Sequence, residues 1–498
     1  MKQKADQGKR NLWVLVGIIV IAAFLRLYKL GQESLWFDEG WSALIARMDW
    51  ASLRNVLLHQ SFPVYYAPLN LWVRLGDNEF ALRLLSAIAG IVSIPLLYKT
   101  AEACSSQASA KFAALLLAIS PLHIWYSQEA RMYALATCFG LGATWAFLRA
   151  VRKGRWIAWG AYVLLSALAF HTFYYAAFIL LFQGLFVFYL VLRGRPGGEE
   201  AIAPVVTREL LVKWGLTQVG VLLLLLPGLR VLLAQSHEGM WEWVAGKYGR
   251  PTLGALAQTA ASFSLGDTWP GPNALRWGTL GLFAILFLAG IGKFGVTRDR
   301  LSFTIRLDET ILFLLSYLCI PIAAVFLVSQ FRPSYLTRYL VLFLPPYCAI
   351  LGRGAAFLRP RALAWVLLGL ILLATGVSLH RLYAAEQKED WRGIAQLIEE
   401  NGTERDVICL IDEDASAVFG YYYRGPLPVI GISGSLRDET KIGAIAGDLA
   451  SRYERIWLVM SHTNNEAFRR RLESETKLEP SGTWTAIGIQ LALFRVLG

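Results

Sequence analysis

The sequence predicts a polytopic α-helical membrane protein of about 11 transmembrane helices that ends in a C-terminal soluble α/β domain. Three observations carry this prediction. Apolar runs of roughly 17–25 residues recur along the chain, each long enough to cross a bilayer as a helix. Lys and Arg cluster in every second connection between them, as the positive-inside rule requires. From Glu386 onward the long apolar runs stop, and short helix-like and strand-like stretches alternate. Only 17% of the 498 residues are charged, against about a quarter in a soluble globule.

In chain order the runs predict helices at about 12–28, 80–100, 111–126, 132–151, 157–172, 174–192, 211–234, 274–294, 310–330, 339–357 and 362–383. With the N-terminus in the cytoplasm, the cytoplasmic connections carry Lys99 and Lys111; Arg149, Arg152, Lys153 and Arg155; Arg193, Arg195, Arg208 and Lys213; Lys293, Arg298, Arg300 and Arg306; and Arg353, Arg359 and Arg361. An odd number of crossings then places the tail outside, as expected of a multi-pass protein of the plasma (inner) membrane. The outer connections are longer. Residues 31–79 read as two interfacial helices, at about 40–58 and 64–75. Residues 235–273 contain His237, Glu238, Trp241, Glu242, Trp243, Lys247, Asp267 and Trp269, and Pro270-Gly271-Pro272 breaks structure before the next helix.

The division expected is therefore a membrane part at 1–385 and an extracytoplasmic domain at 386–498. In the latter, helices are predicted at 391–400, 415–423, 441–453 and 466–474. Strands are predicted at 406–411, 428–432 and 456–460, with 483–496 as one long or two short strands. Such alternation predicts a small α/β domain. It has no glycine-rich phosphate fingerprint, so no nucleotide is assigned to it.

A net charge of +12 would point to nucleic acid in a soluble protein. Here the cations lie between apolar runs, so no nucleic-acid partner is expected. Cys104, Cys138, Cys319, Cys348 and Cys409 show no paired spacing, and predict neither a disulfide framework nor a thiolate metal site. Lys2, Lys4, Lys9 and Arg10 precede the first apolar run like the start of a signal peptide. No small-residue cleavage site follows, and the segment reads as a retained anchor.

Under this topology, polar residues from helices distant in sequence converge on the outer face. Asp38 and Glu39 follow the first helix, flanked by Trp36, Phe37 and Trp41. Carboxylates seated at a bilayer surface are costly unless used. Their bland reading is a helix cap and a first-turn acid, which is compatible with catalysis. Arg83 lies one turn into the second helix, where it could simply snorkel to headgroups. Glu129 and Arg131 join the third and fourth helices as a surface salt bridge or as part of a phosphate site. His171 and Tyr174-Tyr175 end the fifth helix, Lys247 and Arg250 lie in the long loop, and Arg332 and Arg338 flank a later turn. The layout suits a site at the water–lipid boundary handling an anionic headgroup. A lipid-headgroup or lipid-linked sugar flippase is the alternative, but it predicts charges deep in the helices and often internal repeats.

Leu35-Trp36-Phe37-Asp38-Glu39, Pro63-Val64-Tyr65-Tyr66, Glu79-Phe80-Ala81-Leu82-Arg83, Tyr126-Ser127-Gln128-Glu129-Ala130-Arg131-Met132-Tyr133 and Thr337-Arg338-Tyr339-Leu340 together resemble the polytopic glycosyltransferases of the GT-C superfamily. The branch resembled is the one related to lipid A aminoarabinose transferase and the protein O-mannosyltransferases. Lys388-Glu389-Asp390-Trp391-Arg392, opening the tail, also fits. Two patterns depart from that branch. Ser61-Phe62-Pro63 stands where a His-Pro-Pro run is common, and Thr172-Phe173-Tyr174 stands for Thr-His-Tyr, with His171 displaced.

The resemblance implies a GT-C-like fold and transfer of a sugar, hexosyl or pentosyl, from a polyprenyl-phosphate donor to an extracytoplasmic acceptor, with inversion. The acceptor would be a glycolipid, lipopolysaccharide, polysaccharide or protein. Asp38 is expected as the general base or acceptor-orienting carboxylate, with Glu39 in support. Arg83, Arg131 and Arg338 are expected on the donor phosphate, with Glu129, Tyr65, Tyr66, Tyr133, His171 and Lys247 in supporting places. No cofactor is required by the sequence, a divalent cation stays open, and no metal ligand is assigned.

Overall fold

The computed structural model describes residues 2–59, 62–193, 202, 207–235, 249–296, 301–305, 308–432, 439–461, 466–474 and 478–497. Lys247, with the other charged and aromatic residues at 237–243, lies outside the described residues. The chain divides into two compact units. The first comprises Met1–Tyr28, Arg54–Pro68 and Arg83–Ala384; the second comprises Lys29–Leu53, Leu69–Leu82 and Ala385–Gly498.

Among the described residues, nine helices are long and apolar enough to cross a membrane, and a bent pair makes a tenth span. Trp156–Thr172, apolar but only 17 residues long, is the remaining one of the eleven predicted runs. The chain is a multi-pass membrane protein.

The bent pair departs from the sequence reading, which drew one helix at 111–126. The structure has two, Gln107–Ile119 and Pro121–Ser127, meeting at 58°. Ser120 is extended there, and its hydroxyl accepts from the backbone N–H of His123 at 3.4 Å, while Pro121 opens the second helix. Proline suits that position because the N–H it lacks would have no helical partner. The break exposes two carbonyls, of Leu117 and Ala118, and Arg26 takes both, at 3.1 and 2.9 Å. The same guanidinium donates to the Ala22 carbonyl at 3.1 Å and meets His123 Nδ1 at 2.8 Å. Arg26, in the last turn of the first helix, is fully buried.

Other departures are local. The long outer connection contains a helix, Leu253–Leu265, that its Ala, Ser and Thr content did not reveal. A hairpin of Gly292–Val296 with Leu301–Ile305 occupies positions where the sequence reading continued a helix to 294. The predicted helix 339–357 starts as a 3-10 turn over Thr337–Phe343 and becomes α-helical from Leu344, ahead of Pro345-Pro346. Packing between Asn273–Ile291 and Leu344–Phe357 depends on glycine. A Cβ on Gly354 would lie 1.9 Å from the Leu286 carbonyl oxygen, so the backbones meet directly.

The second unit is built on a five-stranded sheet. Its strand order is Val429–Ile432, Asp406–Ile411, Arg455–Ser461, Ile489–Val496, Leu478–Ala486. The first three strands are parallel and the last two join antiparallel. The span 483–496 proves to be most of a hairpin, turning at Gly488, whose φ of 71° suits glycine. Its first strand, beginning at Leu478, was hidden by its polar Glu-Pro-Ser-Gly stretch. Val407, Cys409, Ile411, Ile456 and Leu458 on the central strands pack with Ile442, Ala446 and Phe494 in the core.

Asp406 opens an interior strand of this sheet. It receives Arg455 Nε at 2.9 Å and Nη2 at 2.8 Å, the Thr403 N–H at 3.0 Å and hydroxyl at 2.7 Å, and Trp457 Nε1 at 2.8 Å. Burial opposes its ionisation, but the hydrogen bonds from Arg455, Thr403 and Trp457 outweigh it and hold the carboxyl below the usual range.

Candidate active site

Each unit contains one cluster of the residues singled out in the sequence. In the second unit, Asp38 and Glu39 occupy the first turn of the helix Phe37–Ala46. Acids are favourable there because they face the helix's unpaired N–H groups. Glu39 is wholly buried, and its Oε2 accepts from the Trp36 N–H at 3.4 Å and from Lys388 Nζ at 3.1 Å. Asp38 instead is only partly buried. The adjacent acids thus have different surroundings: Glu39 is wholly buried against Lys388, and Asp38 is only partly buried.

The segment Lys388–Arg392 fixes this turn. Glu389 Oε2 accepts from the Phe37 N–H at 3.1 Å and from Trp391 Nε1 at 2.7 Å, which makes it the cap of the Asp38 helix. The Arg392 N–H donates to Ser34 Oγ at 3.2 Å, and its guanidinium reaches the Gln32 carbonyl and the Glu79 carboxylate. Tyr422 donates to the same Glu79 carboxylate, and its hydroxyl oxygen accepts from the Leu35 N–H at 2.7 Å. Gly40 lets the helix lie against Ser416–Tyr422, since a Cβ there would sit 2.3 Å from Val418 Cβ. Lys388 and Glu389 hold the Asp38 turn, a role that their place in the sequence motif does not reveal. The signal was the unusually dense Lys-Glu-Asp-Trp-Arg run at the domain start.

The first unit gathers the basic and aromatic residues. Arg131 Nη1 donates to Tyr66 OH at 3.4 Å, and Ser86 Oγ donates to the Arg131 carbonyl at 2.9 Å. Ser86 in turn lies 3.4 Å from Tyr65 OH, and Tyr65 packs edge-on to Tyr66 with ring centres 5.3 Å apart. Arg83 is one turn before Ser86 on the same helix and is buried. Glu129, also buried, accepts from Trp125 Nε1 at 2.6 Å. This holds the carboxylate at the turn that leads into Arg131.

Arg338 joins the group through aromatics. Its guanidinium lies 5.3 Å from the centre of the Tyr339 ring, and Tyr339 packs on Tyr133, Phe173 and Tyr175. Tyr126 packs edge-on to Tyr133, with ring centres 5.3 Å apart. Asp267 lies just past the helix Leu253–Leu265. It receives the Ser262 hydroxyl, and the sequence named it only as a loop residue. His171 is engaged elsewhere: its Nε2 meets the Leu224 carbonyl at 2.8 Å, tying two membrane helices together.

The first unit thus holds Arg131 against Tyr66 and Arg338 against Tyr339, and the second holds Asp38 beside the ion-paired Glu39. Residues 60–201 match the profile of the dolichyl-phosphate-mannose-protein mannosyltransferase family. That span holds Tyr65, Tyr66, Arg83, Glu129, Arg131, Tyr133 and His171. The structure of apo ArnT from Cupriavidus metallidurans superposes with a TM-score of 0.61 at 14% identity, covering 98% of both chains. The two share one fold. The Archaeoglobus fulgidus oligosaccharyltransferase aligns over 91% of this chain and 69% of its own, with a TM-score of 0.54 at 12% identity. Two Bacillus subtilis proteins, YkcB and YycA, both provisionally named mannosyltransferases, are 25% identical over 199 and 194 residues. Those matches cover 37% of this chain, and only 27% and 28% of the two relatives.

Proposed function

We propose that this protein is a membrane glycosyltransferase that moves a sugar from a polyprenyl-phosphate donor to an acceptor hydroxyl on the extracytoplasmic side. The observation that carries this reading is the Arg131 cluster, in which a guanidinium meets Tyr66 and its backbone carbonyl receives Ser86, all inside the span matched by the mannosyltransferase profile. Support comes from an ArnT structure of the same fold, which was solved with undecaprenyl phosphate, and from an archaeal oligosaccharyltransferase, AglB, solved with a dolichol-phosphate.

In the reaction, the acceptor oxygen attacks the anomeric carbon as the bond to the phosphate oxygen breaks. Polyprenyl phosphate leaves with the electron pair, and the anomeric configuration inverts. Arg131 and Arg338, with Arg83, bind the phosphate and stabilise the charge that grows on it. Guanidinium suits this because its planar fork of donors matches two phosphate oxygens. Asp38 takes the acceptor proton; its partly buried place on a firmly capped helix suits a group that must meet a substrate. Glu39, committed to Lys388, keeps that helix in position. The N-terminus lies in the cytoplasm, and the second unit is extracytoplasmic.

The test supplies purified full-length protein with polyprenyl phosphates bearing mannose, glucose or a pentose, and follows release of the polyprenyl phosphate together with glycosylation of added envelope lipids. A hexosyl donor is expected to turn over. If none of the donors is consumed while the protein moves intact lipid-linked sugar across vesicles, the transferase reading fails in favour of a transporter.

A further inference from the structure

Arg131 lies two residues before the helix Tyr133–Lys153, whose far end is about 30 Å away along its axis. At that end are two adjoining cavities, of about 350 and 180 Å³, which share Trp145, Arg149 and Lys153. These three recur every fourth residue, so they form one stripe down the helix. Lys99 and Arg152 add charge to the larger cavity, and Arg155 with Ile157 and Ala158 closes the smaller one.

The positive-inside rule accounts for cations at this end of the helices. It does not account for their gathering around concave surfaces. The only carboxylate lining either cavity, Glu102, is already paired with Lys99 at 2.9 Å. Arg152 is spent on the backbone, donating to the carbonyls of Ile202 and Ala103. Arg149 lies over the Trp145 ring at 4.9 Å. Among the described residues no carboxylate pairs with Arg149, Lys153 or Arg155. Beside these cations the wall turns apolar and outward-facing, with Trp156 58% and Ile157 80% exposed. A cationic pocket opening onto an apolar helix face complements a ligand with an anionic head and hydrocarbon tails.

We propose that these cavities bind the phosphate headgroup of an anionic phospholipid, its acyl chains lying along Ile157, Ala158 and Ala161. The Arg149 guanidinium and the Lys153 ammonium take the phosphate oxygens, and Trp145 packs at headgroup level. The site lies a helix length from Arg131 and does not depend on the reading of the catalytic reaction.

Native mass spectrometry of the full-length protein, given phosphatidylglycerol and phosphatidylcholine with identical chains, tests the proposal. Phosphatidylglycerol is expected to be retained preferentially. Arg149→Gln with Lys153→Gln should lower that retention by about 10- to 30-fold, since each cation near an anionic lipid is worth about a tenfold change or less. The charge-conserving Lys153→Arg should retain it, and an unchanged melting temperature for the double variant separates lost binding from misfolding. Equal retention of both lipids, or a double variant that holds phosphatidylglycerol like the parent, overturns the proposal. So does inorganic phosphate that displaces the lipid and alone stabilises the parent but not the double variant, because the occupant is then a soluble phosphate.

Discussion

Lys388 Nζ lies 3.1 Å from Glu39 Oε2, and neither side chain is more than 7% exposed. They are 349 positions apart in sequence, so this ion pair ties the Asp38 turn to the start of the C-terminal segment. Charges taken out of water are tolerated only while both are present. Lys388→Met is therefore expected to destabilise the protein by about 3–5 kcal/mol. Glu39→Gln combined with Lys388→Met should recover a large part of that loss. A thermal scan in which Lys388→Met melts with the parent would show that the pair contributes nothing.

Asp38→Asn keeps shape and hydrogen bonding but removes charge and basicity. We expect the variant to fold, to bind the lipid donor, and to transfer sugar about 10²–10⁴-fold more slowly, the usual contribution of a general base. Near-parental turnover would reduce Asp38 to a first-turn acid that favours its helix.

For Arg131 the comparison of interest is Gln against Lys. Removing the charge is expected to cost about 10²–10³-fold in turnover, as for loss of a donor aimed at developing negative charge. Lysine should restore only part of this, because it lacks the fork that grips two oxygens. Tyr66→Phe removes one contact to Arg131 and should cost about 5-fold. Equal activities for the Gln and Lys variants would remove Arg131 from phosphate recognition.

Acid should loosen the second unit through Asp406. Its folded carboxyl titrates below the unfolded value, which for aspartate is about 3.9. The stabilisation is thus complete above that unfolded value and is lost as pH falls through the lower, folded one. Asp406→Asn should be less stable at neutral pH, and the gap should close in strong acid. A gap that does not change with pH would mean that ionisation of Asp406 is not what stabilises the sheet.

Topology offers a check independent of chemistry. A phosphatase reporter that works only outside the cytoplasm, fused to the C-terminal domain, is expected to be active. A reporter placed after Arg155 should be silent. The reverse pattern would invert the protein and with it the proposed side of sugar transfer.

The apolar runs were legible because hydropathy is a local property, and all eleven appear as helices, one of them broken. The break at Ser120 has a local signal in Ser120-Pro121, whereas Arg26, which takes its exposed carbonyls, comes from another helix and was not legible. Leu253–Leu265 escaped notice because small residues carry little periodic signal. At the candidate site, residue types were readable but their partners were not. Asp38 and Glu39 look alike in sequence, and only the burial of Glu39 against Lys388 separates them. Arg131 was recognisable from its motif, whereas its contact with Tyr66 needed the fold.

The seat of Arg26 also dictates an order of assembly. Its carbonyl partners in the third span follow it by 91 and 92 positions, so none of them exists when the first helix emerges from the ribosome. An arginine in hydrocarbon costs about 2.5–3.5 kcal/mol on insertion scales, but from the last turn of a helix the side chain can still reach water. The nascent first helix therefore holds its charge at the interface until the bent span is made. Burial of Arg26 is then the step that locks the two together.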